Sequence, residues 1–299
     1  MSSSGAITDV RLAVIAPTAN RLPTLRLLVE SLAQQTDSDF RTVISDEGST
    51  DGTREYLDHL TRMPAWRERL TVVRSALSPT GRRSRTRNVA LANVPVDVTH
   101  VLIVDSDLVL HPEAIRLWRG LFGAWPDAVL IGEVLWLPRL ELPCIDAAIR
   151  ERHVERLCEM VPDVRPVRVE GTHVGQDLRV ELFRGDIPEG RVGLRPEWSI
   201  VLNSGFPMSL LDRLDGFDES FVGYGYEDLD LGARAAALGA GAVIDRSVRA
   251  LHVWHPRNWS HEANELQVNL DRMIRKHGMQ PYLEQQVDWD HPVHKERRA

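Results

Sequence analysis

Over the first 135 residues, short apolar runs alternate with stretches of helical periodicity, and this alternation narrows the fold more than any other feature. "RLAVIAP", "FRTVIS", "LTVVR" and "THVLIVD" read as strands, the first an apolar run suited to burial on both faces. Between them, "LPTLRLLVESLAQQ" sets Leu25, Leu28, Val29 and Leu32 at helical spacing behind Pro23. "TREYLDHLTRM" and "SRTRNVALANV" are further helical segments. The repeated βα rhythm predicts an α/β fold, a parallel sheet covered by helices.

Composition sets the outer limits. With 299 residues, 43% hydrophobic and 26% charged, the chain can bury a core without staples. Cys144 and Cys158 are the only cysteines, so no disulfide framework is expected and a cytoplasmic location is. The net charge of −7 excludes a broad nucleic-acid surface. No apolar run approaches the roughly 20 residues of a membrane span. Residues 1–9 have neither the basic nor the apolar region of a secretion signal and read as a disordered lead-in.

Past residue 135 the rhythm fades. "RERHVERLCEM" is expected to be a helix inside a Pro-, Gly- and charge-rich excursion over 136–198, which contains Trp136 and Trp198. At the end, Leu266, Leu270, Met273 and His277 share one face of an amphipathic helix, with a tail after it.

In sheets of this kind, ligands bind beyond the carboxyl ends of the strands. The polar residues that follow the apolar runs are therefore the candidates: Pro17 and Thr18, then Asp46 to Ser49, then Asp105, Ser106 and Asp107. Two carboxylates two apart at a strand end can reach one hard cation, which would neutralise a diphosphate. Asp46 is not needed to cap the following helix, and its oxygens suit a nucleobase N–H. In "GRRSRTRNVAL", Arg85 and Arg87 enter a helix start suited to a phosphate, whereas Arg82 and Arg83 fit a solvated basic loop. His252 and His255 face one cation only if their segment turns tightly; in a strand they point apart. In "GYGYEDLDLGAR", Glu227, Asp228 and Asp230 crowd one helix start, where negative charge is favoured.

Taken in order, these motifs resemble the GT-A nucleotide-sugar glycosyltransferases of the inverting family 2 type. "VISDEGSTDGT" is similar to the family's Asp-Asp-Gly-Ser-x-Asp signature, "RTRNVAL" to its Ala-Arg-Asn helix and "DSD" to its Asp-x-Asp motif. The stretch from "NSGFPMSLL" to "GYGYEDLDLGAR" is similar to a galactosyltransferase-type C-terminal region. The resemblance implies a GT-A (Rossmann-like) mixed, mostly parallel sheet in a single domain over 10–260. Residues 10–135 would be its nucleotide-binding half and 136–260 its acceptor half, with a helix and tail over 261–299.

It also implies a UDP-sugar donor, Mn²⁺ or Mg²⁺, and a saccharide, lipid-linked or peptide acceptor; a homo-oligomer is compatible with it. By position, Asp46 would contact the donor's base or ribose, and Asp105 the sugar nucleotide and metal. Asp107 and His252 would ligate the metal, with His255 as the alternative. Asp228 would be the base and Glu227 would bind acceptor or sugar hydroxyls, while Asn203, Ser204 and Gly205 would form a turn near the donor sugar. Pro17, Thr18, Arg87 and Ser106 complete the expected donor site. Glu47, Tyr224 and Asp215 depart from the family pattern. Two other functions compete: a non-catalytic sugar-nucleotide or glycan binder, and a sugar-nucleotide pyrophosphorylase. The latter would want a glycine-rich loop that "APTANRLPT" does not supply.

Overall fold

The computed structural model describes residues 9–76, 82–169, 172–183, 185–256 and 259–278, with backbone alone at 168, 180, 181 and 259–261. The expected lead-in, apart from its last residue, and the tail past 278 lie outside the described residues, as do the side chains of Trp259 and His261.

The first half follows the βα rhythm: β1 (Leu12–Thr18), α1 (Leu22–Ala33), β2 (Phe40–Glu47), α2 (Thr53–Leu60), β3 (Leu70–Ser75), α3 (Arg83–Leu91) and β4 (His100–Val104). A short β5 (Leu108–Leu110), α4 (Ala114–Ala124) and β6 (Val129–Trp136) come next. The excursion holds α5 (Leu142–Arg150), α6 (Val154–Glu159), the hairpin β7 (Val167–Val169) and β8 (Thr172–Val174), α7 (Val180–Phe183), β9 (Val192–Gly193) and a 3₁₀ turn at Pro196–Trp198. Then follow β10 (Asn203–Pro207), α8 (Met208–Leu214), α9 (Glu227–Ala237), β11 (Gly241–His252) and α10 (Trp259–His277).

One sheet runs β3-β2-β1-β4-β10-β6-β11-β5, with β9 also on β11. β1 to β4, β6 and β11 point one way; β10, β5 and β9 point back. The sheet is thus mixed and mostly parallel. Alternation along β1 divides the core. Leu12, Val14 and Ala16 join Leu25, Leu28, Trp118 and Phe122 on one face, and Ala13 and Ile15 join Ala90, Leu211, Leu231 and Ala235 on the other. Helices therefore cover both faces, as the apolar runs required.

One expectation fails locally. The helix expected over "RERHVERLCEM" is broken at Arg152, whose φ of 58° is left-handed, so α5 ends at Arg150 and α6 starts at Val154. The excursion has an apolar cluster of its own. Ile145, Ile149, Val154 and Leu157 pack with Leu27, Leu135, Leu137 and Val253 in one apolar cluster. A buried pair, Arg179 and Asp177, fixes its middle: Arg179 Nη2 donates to Gly132 O at 2.8 Å, and Asp177 accepts from Val134 N–H at 2.7 Å.

Candidate active site

From β1 the chain moves to β2 on one side, while β4 lies on the other. This is the switch point where such sheets open a crevice. The carboxyl ends of β1, β4, β6 and β11 surround a cavity of about 310 Å³ there. Its wall includes Pro17, Thr18, Arg87, Asp105, Ser106, Asp107, Glu227, Asp228, His252 and His255, so ten of the sequence candidates meet in one space.

On one side sit Asp107, His252 and His255. The β5–β11 ladder sets Leu108 opposite His252, and Val253 N–H donates to Asp107 O at 2.8 Å. The chain leaves the strand after His252, so strand alternation no longer separates the two histidines, and Thr172 Oγ1 donates to His255 O. His252 Nε2 lies 3.4 Å from Asp107 Oδ1, and His255 Nε2 lies 3.1 Å from Oδ2. Trp136 stacks on His252 with ring centroids 3.9 Å apart. Burial pulls the Asp107 carboxyl upward, but the two imidazoles outweigh it and hold it below the usual carboxylate range.

One ligand atom from each of these three residues lies within 4.8 Å of the others. Asp107 Oδ1 is buried with no hydrogen-bond partner among the described residues. An oxygen kept dry and unbonded beside two imidazoles fits a divalent cation.

The expected ligand Asp105 is not in this cluster; His255 takes its place. In the turn after β4, Leu108 N–H donates to Asp105 O at 3.2 Å. Asp105 instead accepts from Arg87 Nη2 at 3.1 Å, and Arg87 Nη1 donates to Glu227 Oε1 at 2.8 Å. Arg87, 3% exposed, thereby joins the two carboxylates on the other side of the cavity. Burial raises the Glu227 carboxyl, but Arg87 and Arg83 outweigh it and the net shift is down. Among the described residues, no arginine is hydrogen-bonded to Asp228. Burial first, then the Glu227 charge, push its carboxyl up to about 7 against the pull of Arg87, and its Oδ1 accepts Leu229 N–H at 2.8 Å.

Other candidates lie elsewhere. Asp46 does not line the cavity; its Oδ1 accepts Ser49 N–H at 3.1 Å. Glu47 does line it, and accepts from Thr86 Oγ1 at 3.1 Å. Asn203 and Gly205 are inside the sheet. The Asn203 amide donates to Glu133 O and Val248 O beside the register shift of β11. A Cβ at Gly205 would lie 2.5 Å from Phe122 Cζ, so the glycine serves packing. Arg83 lines the cavity and lies over the Tyr224 ring at 4.8 Å, while Arg85 is exposed. Helical spacing explains the exchange, because Arg83 and Arg87 are four apart and share a face. Apolar wall residues Leu178, Ile200, Leu202 and Leu266 carried no signal in the sequence beyond being apolar.

Residues 13–134 match the family described as "Glycosyl transferase family 2". A validoxylamine A glucosyltransferase of Streptomyces hygroscopicus subsp. jinggangensis (strain 5008) is 30% identical over 290 residues, 93% of this chain. The chain spans 63% of the length of that relative. Among solved structures, S. aureus TarS 1-349 in complex with UDP-GlcNAc superposes with a TM-score of 0.58 at 18% identity, covering 85% of this chain and 61% of that one. The mannosyltransferase PcManGT of Pyrobaculum calidifontis, in complex with GDP-Man and Mn²⁺, gives 0.54 at 20% identity, covering 89% and 64%. Residues 13–134 are thus similar to the family 2 glycosyltransferases, and the chain shares its mixed, mostly parallel α/β fold with these GT-A structures.

Proposed function

We propose that this chain is a metal-dependent glycosyltransferase that moves a hexosyl or N-acetylhexosaminyl unit from a UDP-sugar to an acceptor hydroxyl or thiol with inversion. One observation carries this reading. A half-buried carboxylate poised near neutrality, Asp228, shares a cavity with the Asp107–His252–His255 cluster. A base is needed at one end of a direct displacement and a stabilised leaving group at the other. A divalent ion held by Asp107, His252 and His255 would neutralise the departing diphosphate.

Asp228 takes the acceptor proton as the acceptor oxygen or sulfur bonds to the anomeric carbon. The bond from that carbon to the diphosphate breaks, and the electron pair leaves with the nucleoside diphosphate. Asp228 Oδ2 is the receiving atom, because Oδ1 already accepts the Leu229 N–H. Arg21 and Arg83 line the cavity and add positive charge for phosphate. Glu227 stays ionised through Arg87 and can accept hydrogen bonds from sugar hydroxyls.

The galactosyltransferase-like stretch, which lies past the family match, is assigned to the acceptor side. Residues 10–260 act as one catalytic unit in the cytoplasm. The Streptomyces relative's name makes glucose the first donor sugar to try and validoxylamine A the first acceptor.

The test is calorimetric titration of UDP with and without Mn²⁺, followed by Mn²⁺-dependent UDP release from UDP-glucose and UDP-GlcNAc. Binding of UDP only with Mn²⁺, and turnover of one donor, is the expected result. Tight UDP binding without turnover of any donor would favour the non-catalytic binder. No binding of UDP plus Mn²⁺ would remove the donor assignment.

A further inference from the structure

Helix α10 takes no part in the chemistry above, yet it grips the loop that delivers Glu227 and Asp228. Glu265 Oε2 accepts Tyr224 N–H at 2.9 Å. Asn269, fully buried, donates from Nδ2 to Val222 O at 3.0 Å and to Tyr224 O at 3.2 Å. Its own Oδ1 accepts from Arg272 Nη1 at 2.9 Å. Three polar groups of the loop backbone, the Val222 carbonyl and both groups of Tyr224, thus find their partners on α10. Buried carbonyls without such partners would carry a full desolvation penalty.

The contact and the loop's own backbone both favour glycine. A Cβ at Gly223 would lie 2.4 Å from Glu265 Cδ, and one at Gly225 would lie 2.4 Å from Leu266 Cδ1. Both glycines are left-handed, with φ of 81° and 93°. Tyr226 follows at φ 70° and is the residue from which α9 starts. A Gly-x-Gly loop has many conformations when free, so the one seen here needs an external hold.

The far end of α10 is anchored separately. Asp230, fully buried on α9, meets Lys276 Nζ at 2.6 Å, His277 Nε2 at 2.8 Å and Arg234 Nε at 2.8 Å. Leu270 and Met273 pack with Phe221, Tyr226 and Leu229 between the two ends.

We infer that Asn269 is a positioning residue and α10 a strap: through the carbonyls of Val222 and Tyr224, Asn269 fixes the turn that aims Asp228 into the cavity. The catalytic part of this inference rests on Asp228 being the base. Leu266, which lines the cavity, is carried to its place by the same helix.

The test compares the full chain with Asn269→Asp, which keeps the shape and removes both N–H donors. Glu265→Ala, which removes the acceptor for Tyr224 N–H and leaves Asn269 in place, serves as the second variant should the first not fold. Hydrogen exchange over residues 221–231 is read by mass spectrometry, beside kcat and KM for Mn²⁺-dependent UDP-glucose turnover and the Kd for UDP with Mn²⁺. The loop amides are expected to exchange at least about tenfold faster, with β1 and β4 unchanged. Misplacement of the base lowers kcat roughly 10- to 100-fold, while KM and Kd stay within about twofold. Unchanged loop exchange would overturn the strap, and faster exchange with normal kcat would overturn the positioning role. If the unmodified protein turns over no donor, the catalytic reading fails, and the exchange arm still decides whether Asn269 holds the loop.

Discussion

Asp107, buried, and Asp228, half-buried, stand on the wall of one cavity, and their proton affinities move in opposite directions. Burial raises both. Asp107 ends low because two imidazoles face it, whereas Asp228 ends near 7 because the Glu227 charge adds to desolvation and Arg87 is shared with two other carboxylates. Neighbours, not depth, set the two acids apart, and such a separation is what the proposed roles of charge holder and proton carrier require.

The comparison breaks most decisively at the base. Asp228→Asn should lower kcat about 10²- to 10⁴-fold, the range for losing a general base, while UDP still binds with Mn²⁺. Normal transfer by this variant would end the assignment of Asp228 as base. Next, Asp107→Ala and His255→Ala should each weaken Mn²⁺-dependent UDP binding by at least about tenfold, a floor set by what outer-shell changes cost. Equal binding by His255→Ala and the unmodified chain would return the third ligand to Asp105.

The pH dependence sharpens the contrast. A base must be ionised, so kcat/KM should rise about tenfold per pH unit up to about pH 7 and then level. A profile flat between pH 5 and 8 would assign the proton to another group.

The smallest effect concerns stability. The folded-state carboxyl of Asp228 titrates near 7 and the unfolded one at 3.8, so the folded protein binds more protons between them. Stability therefore falls as pH rises through that window. Asn resembles the protonated acid. Asp228→Asn should match the unmodified chain near pH 4 and melt a few degrees higher at pH 8, by roughly 2–4 °C for each kcal/mol of relief. Equal melting at both values would show that burial is not what raises the acid.

Much of this was readable in the chain because it depends on local order. The strands β1 to β4 followed from apolar runs, and the candidates at their ends from the rule that parallel sheets bind at carboxyl edges. What escaped depends on contacts between distant segments. His255 could not be preferred to Asp105 until the turn after β4 and the exit from β11 were known. Asn203 looked like a site residue, but its amide bridges two backbone carbonyls inside the sheet. Asn269 lay unnoticed between Leu266 and Leu270, because a polar residue on an apolar helix face shows no purpose until the carbonyls it serves arrive from 47 and 45 positions away.

By itself the sequence determined the alternating βα half and its two-sided core, since hydrophobic period is a property of neighbours along the chain. It also determined which acids and histidines would be offered at the strand ends. The tertiary structure alone decided how they were divided. Arg87 draws Asp105 and Glu227 together, two imidazoles claim Asp107, and Asp228 is left with a raised proton affinity. That division follows from burial and from charges brought close by folding, and neither is written in the order of residues.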